Sequence, residues 1–184
     1  MPLPLKIATT SHAHDAQINE VTDLLCKPSI CGPASDVLGQ ETYTEAVAGL
    51  PRRLGLGECA AALARYSDES SNTTKPVGTI IYSQDPNDSK IVNLELIAVR
   101  EKYRLRQVGA RLMEIVEEEA KLRGAIQLQT QAPQKMPDLQ SFLAKNGFYY
   151  SRMEESEGGV LFLRYKKVLQ KNKKCRIIRL QSLK

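Results

Sequence analysis

NLELIAVREKYRLRQVGARLMEIVEEEAKLRG, residues 93–124, changes character twice within thirty-odd positions. Val92, Leu94, Leu96 and Ala98 alternate with other side chains, the period-two pattern of a strand with one face on a core. A short basic turn follows and runs through Gly109. From Val108 the apolar period lengthens, with Leu112, Ile115, Val116 and Ala120 on one helical stripe and Arg111, Glu114, Glu118 and Lys121 facing away. Glu117 stands four residues before Lys121, and Gly124 ends the pattern. A strand that enters a helix through a glycine-containing turn aims free N–H groups and a positive helix end at one point, which suits phosphate. An ordinary strand–helix connection has the same local pattern.

The wording of the turn is more specific. YRLRQVGARLM (103–113) resembles the acetyl-CoA-binding motif of the GNAT acetyltransferases, R/Q-x-x-G-x-G/A after a strand that ends in valine. In this resemblance Val99 is the strand-end valine, Arg104 the leading arginine and Gly109 the second glycine, while Gln107 stands where the first glycine is expected. Glycine at that place would let backbone approach a diphosphate with no side chain between them. The resemblance implies acetyl-CoA as co-substrate. It places Arg104, Leu105, Arg106, Gln107, Val108, Gly109 and Ala110 around the cofactor's diphosphate, and turns to the backbone of Ile97, Ala98 and Val99 for the N–H that faces the thioester oxygen. Arg104 and Arg106 are candidates for phosphate pairing; as exposed loop arginines they would have no such role.

The order of elements along the rest of the chain can be read from local pattern. LKIAT (5–9) reads as a strand, and residues 14–25 as a helix with Ile18, Val21, Leu24 and Leu25 on one stripe. CKPSICGPASDVLGQ (26–40) reads as loop, and residues 41–50 as a short helix that stops at Pro51. ECAAALARY (58–66) reads locally as helix or strand, VGTIIYS (77–83) as a strand, and the polar stretch SDESSNTTKP between them as a hairpin loop. After the central strand and helix come a strand at AIQLQTQ (125–131) and a helix at 137–146, with Leu139, Phe142 and Leu143 on one side and Gly147 as its stop. FYYSRMEES and VLFLRYKKVL then close a hairpin around Glu157, Gly158 and Gly159. This order is similar to that of the GNAT fold over about Leu5 to Leu169, and the similarity makes the alanine-rich segment a strand. The fold class implied is α+β: a mixed, mostly antiparallel sheet of about seven strands flanked by about four helices. Its fourth and fifth strands, here 92–99 and 125–131, part to admit the pantetheine arm. Residues 1–169 would form the domain and 170–184 a basic tail.

Acetyl transfer from a thioester to an amine needs a neutral amine, support for a developing oxyanion and departure of a thiolate. An alkyl amine of pKa near 10 is only about one part in a thousand neutral at pH 7, so a base is useful. Glu95 is a carboxylate midway along the central strand, where charge is unusual. It either faces solvent or serves chemistry. The resemblance implies the catalytic role, because some GNAT members carry a glutamate four residues before the strand-end valine. Many members also carry N-x-x-A-x-x-F-Y before the Gly-Phe that follows the last helix, with the tyrosine as acid. Here Phe142 fits, but Met136 replaces the asparagine and Leu143 the tyrosine, so no acid carries over.

Composition bounds the remaining classes. At 184 residues the chain is one domain with room for a core, and no apolar run approaches membrane-spanning length. Cys26, Cys31, Cys59 and Cys175 are too scattered for a disulfide framework, which points to reduced thiols in the cytoplasm or nucleus. His12, His14, Cys26 and Cys31 match no usual zinc spacing, so no metal site is expected. The net charge of +5 comes largely from KKVLQKNKKCRIIRLQSLK. That stretch carries no aromatic platform, so a solvated tail is favoured over nucleic-acid binding. Glu154, Glu155 and Glu157 crowd the last hairpin. In a GNAT fold this loop borders the acceptor pocket, which implies cationic amines; a solvated turn would be charged in the same way. The function implied is acetyl-CoA-dependent N-acetylation of a small-molecule or protein amine. A non-catalytic acyl-CoA-binding or partner-binding module is the alternative that Gln107, Met136 and Leu143 support.

Overall fold

The structure is a computed structural model that describes residues 5–10, 15–27, 30, 34, 36–68 and 73–169. His12, His14, Cys31, Cys175 and the basic tail lie outside the described residues. Along the chain come β1 (Leu5–Thr10), α1 (Asp15–Leu25), α2 (Gln40–Gly55), β2 (Ala60–Asp68), β3 (Thr73–Gln84), β4 (Ile91–Val99), a 3-10 turn (Glu101–Tyr103), α3 (Val108–Leu122), β5 (Gln127–Pro133), α4 (Pro137–Lys145), β6 (Tyr149–Glu155) and β7 (Leu161–Val168). The strands form one seven-stranded sheet in the order β1-β2-β3-β4-β5-β7-β6. Every neighbouring pair is antiparallel except β4–β5. The α+β architecture expected from the sequence is therefore present, and the alanine-rich segment is a strand.

The sheet carries a core on each face. On one side Val92, Leu94 and Leu128 pack with Val108, Leu112, Met113 and Val116 of α3 and with Leu143 of α4. On the other, Ala61, Leu63 and Ile81 pack with Val21, Leu24 and Leu25 of α1 and with Val47, Leu50 and Leu54 of α2. β2 is rich in alanine because it is covered on both faces: Ala60, Ala62 and Ala64 belong to one core and Ala61 to the other. Small side chains there let helices approach from both sides. Each large side chain fully buried in such layers contributes on the order of 1.5–3 kcal/mol.

Four expectations need correction. Ile30, Ala34 and Asp36–Leu38 are helical where a loop was expected. Ile30 is buried against the second core with Ala34 and Leu38 beside it, a spacing of four that outweighs the Pro and Gly nearby. Pro51 does not stop α2, which continues to Gly55 because Leu54, one stripe position beyond Leu50, is buried. β2 and β3 extend into the polar segment at Ser67–Asp68 and Thr73–Pro76. The fourth correction concerns β4. Ile81 pairs with Leu96 but Tyr82 with Leu94, so Glu95 is the extra residue of a β-bulge. The faces swap there: Val92 and Leu94 lie with the α3 core, whereas Leu96 and Ala98 lie with the α1–α2 core and Ile97 and Val99 turn towards α3. The unbroken alternation read from the sequence stops at the residue that carries the charge.

Candidate active site

The site begins where two strands separate. β4 and β5 pair from Ile91↔Gln127 to Leu94↔Thr130 and no further. The Thr130 hydroxyl donates to the Leu94 carbonyl at 2.9 Å and closes the paired part. Beyond it Glu95–Val99 keeps only its β3 neighbour. Arg100 N–H donates to Val77 O at 2.9 Å, which marks residues 100 and 77 as a hydrogen-bonded pair. Antiparallel ladders alternate, so Ala98 and Leu96 also turn their N–H to β3, and Ile97 and Val99 turn theirs to the open side. Of the three residues expected to supply the oxyanion donor, Ile97 and Val99 have the right direction and Ala98 does not.

The basic turn sits at the mouth of this opening. Gln107, the N-cap of α3, has φ +63 and Leu105 has φ +58. Both are left-handed conformations that favour glycine, which accounts physically for the glycine expected at position 107. No side chain caps α3 and no acid occupies its first turn. The first closing bond there is Arg111 N–H to Gln107 O at 3.0 Å, so the N–H groups of Val108, Gly109 and Ala110 precede it and face outward. An uncapped, acid-free helix start beside Arg104 and Arg106 fits a diphosphate. Arg104 is partly engaged, since its Nε donates to Val99 O at 3.1 Å. Leu105 is fully exposed. Gly109 fits for a different reason than phi: a Cβ there would lie 3.0 Å from Phe142 Cε2, a tight contact, and 3.7 Å from Val99 Cγ2. Gln107→Gly should relieve roughly 1–2 kcal/mol of left-handed strain, offset by about 0.5–1 kcal/mol of glycine entropy. The expected result is an unchanged or slightly higher melting temperature, with acetyl-CoA affinity in calorimetric titration equal to or above wild type.

Glu95 is neither free nor simply in solvent. Arg53, on the last turns of α2, donates Nη1 to Glu95 Oε2 and Nη2 to Oε1, both at 2.7 Å. Ser83 also donates to Glu95. The side chain keeps 25% of its exposure, so solvent reaches it. Burial is the largest influence on its ionisation and would raise its pKa. The hydrogen bonds from Arg53 and Ser83 and the charge of Arg53 together outweigh it, so Glu95 is held below the usual carboxylate range. A carboxylate has about four lone-pair positions, and a bidentate arginine leaves some for an amine or water. Arg53 was missed because nothing local marks it: it lies 42 residues from its partner. Asn93, the other polar residue of the strand, has a structural task, donating Nδ2 to Asp85 at 3.0 Å across the β3–β4 turn.

Two further groups bear on mechanism. Burial pushes the Cys59 thiol up to about 11, with Arg53 lowering it and Glu95 and Glu58 raising it. Such a thiol is essentially protonated at neutral pH and a poor relay for the acetyl group. Leu143, where the resemblance would have a tyrosine, is completely buried in the α3 core and offers no acid. Tyr149 and Tyr150 are half-exposed on the edge strand β6. Glu154 is clasped by Arg164 and Arg152, with Arg164 Nε 2.5 Å from Glu154 Oε2 and Arg152 Nη2 2.5 Å from Oε1. The acidic hairpin end is thereby locally neutralised.

No described helix is long and apolar enough to cross a membrane. No group of three metal-binding side chains occurs among the described residues. Comparison with curated proteins finds no match. A profile of the Acetyltransferase (GNAT) family matches residues 39–148. Among solved structures, an acetyltransferase from Thermus thermophilus aligns with 20% identity and a TM-score of 0.65, covering 91% of this chain and 98% of its own. An aminoglycoside 6'-N-acetyltransferase complexed with coenzyme A gives 16% and 0.66 over 90% and 97%. The PaiA N-acetyltransferase of Thermoplasma acidophilum, in complex with coenzyme A, gives 15% and 0.61 over 90% and 99%.

Proposed function

Because the chain belongs to the acetyltransferase (GNAT) family, we propose that it moves the acetyl group of acetyl-CoA directly to a primary amine of a small molecule or protein in the cytoplasm. The observation that carries this reading is the parting of β4 from β5 after Leu94/Thr130, with Glu95 at its edge and an uncapped helix start at its mouth. The Val108–Ala110 N–H groups, with Arg104 and Arg106, hold the diphosphate. The Ile97 or Val99 N–H receives the thioester oxygen as it gains negative charge. Glu95 takes a proton from the acceptor ammonium, directly or through water, and the neutral nitrogen attacks the acetyl carbon. The C–S bond then breaks, the thiolate leaves without a protein acid, and the second proton of the attacking nitrogen passes to that thiolate or to water. With a thiol pKa near 8.5 this is tolerable at neutral pH, so the buried Leu143 does not preclude turnover.

Arg53 is a positioning residue in this scheme. It fixes the Glu95 rotamer and keeps the carboxylate ionised. In Arg53→Met the burial that raises Glu95 stands against Ser83 alone, so the pKa rises and the base form survives only at higher pH. The acid limb of the kcat/KM profile should therefore move to higher pH in Arg53→Met, with acetyl-CoA affinity unchanged. An unmoved limb would remove Arg53 from the mechanism.

The function itself is tested by incubating the chain with acetyl-CoA and a panel of primary amines, and detecting amide product and free thiol together. Tight acetyl-CoA binding with no amide product across the panel would favour a non-catalytic acyl-CoA-binding module, the reading that Gln107, Met136 and Leu143 support.

A further inference from the structure

The helices cover the sheet unequally. α1 and α2 pack on Ala61, Leu63, Ile81, Leu96 and Ala98, all on β2, β3 and β4. On β5 and β7 the buried residues Leu128, Ala132 and Tyr165 belong to the α3 core, so their neighbours in sequence point to the other face. That other face carries Gln129 and Gln131 of β5 and Phe162, Arg164 and Lys166 of β7, none of them buried. The ion pairs place Glu154 and Arg152 of β6 on the same side as Arg164. Glu95 turns to this side as well, since its partner Arg53 is on α2.

Register puts these groups in one row. Leu94 pairs with Thr130, so Glu95 is level with Gln131; Gln131 pairs with Arg164, and Arg164 with Arg152. Glu95 and Arg164 are thus two strand spacings apart, roughly 10 Å in a closed sheet and more where the strands part. At the far end of the row Arg152 and Arg164 share one carboxylate, Glu154, and Lys166 lies two residues further along β7 on the same face. Arg164 engages Glu154 through Nε, and its terminal amino groups make no hydrogen bond among the described residues. A guanidinium with that edge turned outward suits a carboxylate or phosphate oxygen.

We propose that the acceptor is an amine that also carries an anionic group, its nitrogen at Glu95 and its anion on the Arg164–Arg152–Lys166 end of the open sheet face. This rests on the acetyltransferase reading and reverses the cationic preference expected from the hairpin. The glutamates there looked like a cation site, but the carboxylate on this face is already taken by two arginines. A diamine would bring its second charge against the basic end, whereas an aminocarboxylate is complementary at both ends. Gln131, midway along the row, offers amide donors and acceptors to the linking chain.

The test compares acetylation of amines of equal length, four to six carbons, that end in a carboxylate, a hydroxyl or a second amine. The carboxylate series should exceed the hydroxyl series in kcat/KM by roughly tenfold, with diamines lowest, and high salt should shrink the ratio. In Arg152→Gln/Arg164→Gln the carboxylate-to-hydroxyl ratio should fall to near one, with melting curves reporting whether the sheet edge is intact. An aminophosphate of the same length separates the two anions. Diamines as the best acceptors, or a ratio unchanged in the double variant, would overturn the anion site while leaving the acetyltransferase reading standing. No acetylation of any amine would overturn both.

Discussion

Gly109→Glu should abolish acetyl-CoA binding, with affinity falling at least about a hundredfold, which is roughly 2.7 kcal/mol or more. Two effects act together. The new Cβ meets the Phe142 ring at 3.0 and 3.2 Å, so that ring must give way, and the longer glutamate side chain adds bulk beyond it. The new carboxylate also sits in the first turn of a helix that has no acid there, where the diphosphate's negative charge is to be placed. The components separate by variant. Gly109→Ala adds only the Cβ and should cost little more than the shift of Phe142. Arg106→Glu puts negative charge on an exposed turn residue with no packing change, and should weaken binding about tenfold while the melting temperature holds. Calorimetric titration with acetyl-CoA reads all three. A Gly109→Glu protein that stays folded and binds like wild type would remove the diphosphate from this turn.

The turn was legible in the sequence because its parts are neighbours. Strand, basic loop, Gly109 and the α3 stripe follow one another, and local chemistry is enough to read them. Even there the left-handed backbone at Leu105 and Gln107 left no mark in residue type. What escaped depends on partners distant in the chain. The bulge at Glu95 comes from the β3 register, and no feature of NLELIAV signals that its faces exchange midway. Arg53 meets Glu95 only because α2 folds over the open part of β4. Without it Glu95 reads as either solvated or a plain base, when it is a carboxylate held ionised by a cation. The pairing of the hairpin's Glu154 was illegible for the same reason. Glu154, Glu155 and Glu157 are adjacent in the chain, but Arg164 reaches Glu154 from the facing strand. A helix through Pro51, against the usual punctuation, was likewise decided by the buried Leu54.

Glu95→Gln should lower turnover by roughly 10²–10³, the usual worth of a positioned base. Glutamine keeps size and shape, and its amide oxygen can still accept from Arg53, but it removes the charge and the basicity. Acetyl-CoA affinity should barely change, because the proposed cofactor site is the Arg104–Ala110 turn, which does not include Glu95. The loss should shrink as pH rises, since solution then supplies the neutral amine that Glu95 no longer generates. Stability follows a separate sign. Glu95 is depressed in the folded chain, so its contribution is present above the unfolded carboxylate pKa and lost as pH falls through the folded value. A purely structural Glu95 would therefore show its effect in melting curves, with no dependence of the rate ratio on pH. The decisive measurement is the pH–rate profile of wild type and Glu95→Gln on one acceptor amine. Direct transfer with Glu95 as base predicts a deep deficit at neutral pH that narrows steadily towards alkaline pH. Parallel or superimposed profiles would contradict it.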